Sequence, residues 1–174
     1  MPIKTSPRLI LAAGLCACAM PALAQDTPPP SYAEVSAQTA PVGEAYIAAY
    51  TSRDWDALEP LLADDASFHD PTATLVFGDI RSETRAAMME RFRVGYAGLT
   101  HMEWSGIRTI VAGEVAVAEG VLHWGLDIGG GKTVDSVTPM VIVVTVKDGK
   151  VVSHRDYIDY APFLKEVREA RAEG

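Results

Sequence analysis

Residues 133–158 read TVDSVTPMVIVVTVKDGKVVSHRDYI. β-Branched residues dominate, and Asp148-Gly149 is a strong hairpin signal between two runs. The stretch predicts strands over Thr133 to Val146 and Val151 to Ile158. Moving outward, Val115 to Asp127 and Leu99 to Val111 carry the same period of two and read as two more strands. Gly129-Gly130-Gly131 joins the middle pair. Lys132-Thr133 follows these glycines, but the predicted element after them is a strand and not the helix a phosphate cradle requires, so they read as a flexible hairpin.

Upstream the period becomes helical. Gly43 to Ser52 places Tyr46, Ile47 and Tyr50 on one face. Asp54 can cap a second short helix through Leu62, with Trp55, Leu58, Leu61 and Leu62 as its apolar stripe. Asp64-Asp65 ends it. Ala66 to His69 is a short strand stopped at Pro71, and a residue before proline is driven to extended geometry, which constrains Asp70. Ser82 can cap a third helix with Met88, Met89 and Phe92 inward, closed by Gly95 and Gly98. Ala161 to Ala172 is a final helix. Helices followed by long antiparallel strands predict an α+β fold, with helices on one face of a curved sheet and a pocket between them.

The chain has 174 residues, 48% hydrophobic and 22% charged, which suits one domain and excludes collagen, coiled coil and disordered tail. A net charge of −8 without a basic run argues against nucleic acid and anionic lipid as partners. Residues 1–24 have the three parts of a secretory signal: Lys4 and Arg8, an apolar run from Leu9 to Met20, and Ala22-Leu23-Ala24 before a cleavage point. That run is shorter than the roughly 20 residues of a membrane span. Export, to a periplasm, is therefore expected, without stable membrane insertion after cleavage. An uncleaved anchor and a lipoprotein at Cys16 are the rival readings. Both cysteines lie in this segment, so a chain cut after Ala24 has no thiol nucleophile, disulfide or thiolate metal site. Residues 25–41, broken by Pro28-Pro29-Pro30, read as a flexible leader, and 42–172 as the domain.

Strand alternation nominates site residues. In Val115 to Asp127 one face carries Val115, Val117, Glu119, Val121 and His123, the other Ala116, Ala118, Leu122 and Trp124. In the last strand His154 and Asp156 share a face with apolar neighbours. A carboxylate there is costly unless paired, and a histidine is an obvious partner. A structural salt bridge for Asp156 and a satisfied core histidine for His123 remain alternatives. Metal binding by His69, His123, His154 and Asp156 has no ligand motif behind it, so neither metal nor other cofactor is expected.

Two stretches carry a family resemblance. Residues 42–71, VGEAYIAAYTSRDWDALEPLLADDASFHDP, are similar to the amino-terminal half of bacterial ketosteroid isomerases. Residues 149–167, GKVVSHRDYIDYAPFLKEV, resemble the end of limonene epoxide hydrolase and of SnoaL-like polyketide cyclases. Together they resemble the nuclear-transport-factor-two-like superfamily. This implies a cone-shaped curved antiparallel sheet with helices on its concave face, a cystatin-like α+β barrel. It also implies that Tyr46 stands where the isomerases keep an oxyanion donor and Asp70 where they keep the proton-moving Asp. The isomerases' second donor is replaced by Pro139-Met140-Val141-Ile142, which has none. Against the hydrolase, Asp156 matches one water-activating Asp, while Val121 replaces the bridging Arg and His123 the other Asp, which leaves a His123–Asp156 pair beside Asp70 and Tyr46.

The resulting expectation is a domain that binds a small apolar organic molecule and performs cofactor-free isomerase, hydrolase or cyclase chemistry. Asp70 or Asp156 would be the base, His123 a proton shuttle and Tyr46 a donor. Phe68, Trp124, Val121 and His154 would contact substrate. The alternative is a non-catalytic ligand-binding or interaction module of the same fold; a homodimer is expected in either case.

Overall fold

A computed structural model describes residues 28–172. The proposed signal segment lies outside them. Helix α1 spans Tyr32–Thr51, longer than the periodicity predicts and reaching into the supposed leader. The reason is local: Ser31 and Glu34 form a reciprocal capping box that fixes the start of the helix. Pro41 sits inside this helix, on its exposed side.

Asp54 caps α2 (Trp55–Leu58), and a 3-10 turn over Glu59–Leu61 leads into β1 (Leu62–Asp70). A second 3-10 turn at Pro71–Ala73, α3 (Thr74–Phe77) and the short β2 (Ile80–Ser82) follow. Helix α4 (Arg85–Glu90) is capped by Thr84 rather than Ser82, and continues as a π-helical turn over Arg91–Gly95 and a 3-10 turn over Tyr96–Gly98. The four long strands are β3 (Leu99–Ala112), β4 (Val115–Asp127), β5 (Thr133–Lys147) and β6 (Lys150–Ile158), with α5 (Ala161–Ala172) last.

The six strands form one sheet in the order β2-β1-β6-β5-β4-β3. All pairs are antiparallel except β1 with β6, which run parallel. The antiparallel expectation therefore fails at one pair. β1 follows the amino-terminal helices, and its partner β6 lies at the far end of the β3–β6 meander. That non-local pairing puts Phe68 beside His154.

The inner face of the sheet carries Ala116, Ala118, Leu122 and Trp124 from β4 and Met140, Ile142, Val144 and Val146 from β5, all buried. Helix α1 presses on the small residues. A Cβ on Gly43 would stand 2.6 Å from the Cβ of Ala116, so glycine is what permits this approach. Helix α5 closes one end, where Phe163 stacks on Trp124 with ring centroids 4.7 Å apart.

Candidate functional site

A cavity of about 240 Å³ opens between the helices and the inner sheet face. Its walls are mostly apolar: Phe68, Leu99, Met102, Leu122, Trp124 and Leu126. Four hydrogen-bonding side chains, Tyr50, Asp70, Tyr96 and Tyr160, and the cation Arg91 also reach it. Arg91 is steadied by Ser82 Oγ at 3.0 Å from its Nε and by the carbonyl of Arg81 at 2.8 Å.

Behind the wall runs a chain of buried polar groups. Tyr46 Oη lies 2.9 Å from His154 Nδ1, and His154 Nε2 lies 2.7 Å from Asp156 Oδ1. Tyr50 donates to Asp156 Oδ2 at 2.6 Å and its hydroxyl is also hydrogen-bonded to that of Tyr96. A carboxylate only accepts, so His154 carries its proton on Nε2 and takes the hydrogen bond from Tyr46 at Nδ1. Register explains the chain. His154 and Asp156 are two apart on β6, hence on one face, and Tyr46 and Tyr50 are four apart on α1, hence on the facing stripe.

Burial raises the pKa of Tyr46 and Tyr50 far above the ordinary phenol range, and the Asp156 charge adds to it. Tyr96 and Tyr160 are raised for the same first reason, with Asp156 the next cause at Tyr96 and the bonded Asp70 at Tyr160. All four therefore stay protonated as hydrogen-bond donors.

Asp70 is held by four donors. Its Oδ1 accepts from Thr72 N at 2.9 Å, Thr72 Oγ1 at 2.6 Å and Ala73 N at 3.0 Å, and Oδ2 accepts from Tyr160 Oη at 2.6 Å. The extended geometry before Pro71 aims this carboxylate at the following turn, which it caps. Asp70 thus reaches the cavity while Asp156 lies behind its wall, each accepting from a tyrosine hydroxyl.

Phe68 and Trp124 line the cavity, and Asp70 reaches it. Tyr46, His154 and Asp156 are brought together, one layer behind the wall. His123 and Val121 require correction. Both point to the outer face of the sheet, where the His123 side chain is 47% exposed beside Glu103. Period-two geometry gives Ala116, Ala118, Leu122 and Trp124 the inside, so the odd-numbered set must lie outside. The expected His123–Asp156 pair is not formed; His154 is the partner of Asp156. Arg155 and Tyr157 face outward, while Asp159 accepts from the backbone of Ala161 at the start of α5. Sequence reasoning missed Tyr50, Tyr96 and Tyr160 as site residues. Tyr160 was signalled by its place in the quoted carboxy-terminal motif, but no spacing pointed to Tyr96, which is positioned by the π-turn before it.

Residues 43–154 match the SnoaL-like domain family. No functionally curated protein matches the chain. Among solved structures, the fold is similar to that of a protein from Shewanella denitrificans assigned as a SnoaL-like polyketide cyclase, with 18% identity and a TM-score of 0.66 over 75% of this chain and 97% of that one. An LEH-like epoxide hydrolase from M. tuberculosis has 22% identity and a TM-score of 0.56, covering 80% of this chain and 93% of its own. TerC, co-crystallised with polyporic acid, has 19% identity and a TM-score of 0.60, covering 75% and 98%. At such identities the likeness is one of fold, and a fold by itself does not fix a chemistry. With the family match running from the second half of α1 into β6, the chain belongs to the SnoaL-like domain family.

Proposed function

We propose that the cavity binds a compact, mostly apolar organic molecule carrying one acceptor oxygen, and acts on it by cofactor-free acid–base chemistry of the isomerase, hydrolase or cyclase kind. The observation that carries this reading is the convergence of Tyr50, Tyr96 and Tyr160 on an otherwise greasy hollow. A neutral phenol is a good donor to an oxygen on which charge develops, and each hydroxyl has one proton to give. In this reading Tyr96 turns its hydroxyl from Tyr50 to donate to the substrate oxygen, and a proton leaving the substrate enters at Tyr50, whose own proton passes to Asp156. Tyr46 and His154 hold Asp156 in place, and Asp70 does the same for Tyr160. The volume, about 240 Å³, is below the ~300–1000 Å³ typical of drug-sized ligands and favours a small substrate.

The alternative, a binding module without turnover, is favoured by one fact: all of Asp70's contacts are already made within the chain. In either case pairing of two copies is part of the reading, through the outer sheet face where Ile107 is 65% and Val137 57% exposed. Mass photometry tests it, and a monomer at working concentration removes it. Export with cleavage after Ala24 is also part of the reading.

The functional test is a thermal-shift screen with steroids, terpenes, lactones and epoxides, followed by calorimetry on hits, since a ligand of the native state raises its melting temperature. Tyr96→Phe should weaken a hit by about 1 kcal/mol, roughly fivefold in Kd. Turnover lost in Asp156→Asn, with binding retained, supports the enzyme; binding without turnover in the wild type supports the module. If hits bind Tyr96→Phe and a cavity-filling Leu122→Trp variant as well as the wild type, the proposed site is wrong.

A further inference from the structure

On the outer face, away from the cavity, three neighbouring strands bring together His101 of β3, His123 of β4 and Asp135 of β5. One ligand atom from each lies within 4.8 Å of the other two. His101 Nε2 is 3.2 Å from Asp135 Oδ1, and the two imidazole rings stand 4.7 Å apart between centroids at 69°.

The backbone builds this grouping. His101 is registered opposite Gly125, and Gly125 opposite Asp135. Any side chain at position 125 would separate them. A Cβ there would lie 2.7 Å from His101 Cε1 and 2.8 Å from Nδ1, and would also strike Thr100 Oγ1. Glycine lets the imidazole lie across β4 and reach a carboxylate two strands away. Gly125 is buried under it, although it belongs to the outward set of β4.

The polar groups around the cluster are aligned for metal ligation. His101 Nε2 is shielded from solvent and has no hydrogen-bond partner among the described residues, although a carboxylate oxygen stands beside it. Its other nitrogen faces Thr100 Oγ1 at 3.3 Å. His123 Nδ1 faces Glu103 Oε2 at 3.8 Å, directly across the β3–β4 ladder. Metal-bound histidines hydrogen-bond through their second nitrogen; His101 does so to Thr100, and Glu103 stands close enough to His123 to do so after a small side-chain movement.

We propose that His101, His123 and Asp135 form a binding site for a divalent transition-metal ion of the zinc class, held on the outer face of the sheet with one coordination position open. Two imidazoles and one carboxylate suit zinc, nickel or copper, whereas calcium and magnesium require oxygen ligands throughout. Ligand atoms around tetrahedral zinc lie about 3.3 Å apart, which His101 and Asp135 already match, so the movement needed is the approach of His123 to that pair. His123 is exposed and can turn to make it. The site lies apart from the cavity and does not depend on what the cavity binds, although it shares the outer face with the proposed pairing surface at Val137.

The test is calorimetric titration of the metal-free full chain, carrying no polyhistidine tag, with zinc chloride. The expected result is a saturable site with Kd below about 100 µM that weakens at least tenfold in each of His101→Ala, His123→Ala and Gly125→Ala, and is unchanged in His69→Ala. Zinc should also raise the melting temperature of the wild type and not of the double variant His101→Ala/His123→Ala. Unchanged melting of the metal-free variants shows that they fold. No saturable binding in that range, or affinity retained in the double variant, overturns the proposal.

Discussion

Replacing Asp156 tests the buried polar chain most directly. Its carboxylate is 1% exposed and accepts from Tyr50 at 2.6 Å and from His154 Nε2 at 2.7 Å. In Asp156→Ala the Tyr50 hydroxyl can still turn to Tyr96, but His154 keeps a buried N–H with nothing to receive it. An orphaned buried donor costs about 1–3 kcal/mol, and breaking one partner of a buried pair about 3–5 kcal/mol. We expect about 3 kcal/mol from urea unfolding, or roughly 6–12 °C in melting temperature for a domain of this size. Asp156→Asn keeps the shape. Its amide can accept from Tyr50 and donate to His154 Nε2, provided the imidazole proton moves to Nδ1 and Tyr46 turns to accept it. That rearrangement should cost about 1 kcal/mol. Nitrogen-15 NMR of the His154 ring should then report protonation at Nε2 in the wild type and at Nδ1 in Asp156→Asn. The reasoning fails if Asp156→Ala unfolds within about 1 kcal/mol of the wild type, or if the wild-type ring carries its proton on Nδ1.

Tyr46, Tyr50, Tyr96 and Tyr160 all have raised pKa values in the fold. Their contribution is intact below the unfolded phenol value of about 10 and is lost as pH climbs from there toward the folded values, by up to ~1.4 kcal/mol per pH unit for each phenol. Unfolding curves between pH 9 and pH 11.5, read together with absorbance at 295 nm, should show these four ionising only with loss of structure; tyrosinate from them in the folded protein contradicts their burial. Gly43→Ala should destabilise by about 1–2 kcal/mol, overpacking against Ala116 outweighing the helix-propensity gain. The double variant with Ala116→Gly should recover most of that in a thermal melt, and a stabilised single variant would show the contact to be slack. The exported protein should begin at Gln25 by intact mass, and a full-length mass would count against cleavage after Ala24.

The elements whose period is long were legible. β4 begins and ends at Val115 and Asp127 and α5 at Ala161 and Ala172, as the alternation and the apolar stripe require. The start of α1 was hidden because Pro41 and the upstream prolines look like a linker, while the capping box at Ser31 and Glu34 lies beyond them. The parallel pairing of β1 with β6 could not be read, since alternation does not say which strands become neighbours. The Asp156–histidine pair was anticipated with the wrong histidine: the right one sat two residues away on the same strand face, already placed there by the period of two. Tyr96 depends on a π-turn that lengthens the helix by an irregular step, and no periodic signal encodes that.

The choice between the two faces of β4 shows what a sequence pattern leaves undecided. Alternation divides the strand into Val115, Val117, Glu119, Val121 and His123 on one side and Ala116, Ala118, Leu122 and Trp124 on the other. The three valines pull the first set inward and Glu119 and His123 pull it outward, and steric demand decides between them. A helix must pass within contact of the sheet near Ala116, and only the small set leaves it room, with Leu122 and Trp124 then falling where the helix has moved away and a cavity can open. Once the small set is inside, the valines are forced outward, and with Ile107, Val137 and Tyr157 they give the outer face more apolar surface than solvent alone explains. The same sorting carries His123 away from Asp156 and toward His101. One steric constraint on α1 thus determines the buried polar chain, the apolar outer wall and the histidine cluster together, and a bulkier residue at Gly43 or Ala116 would put all three at risk.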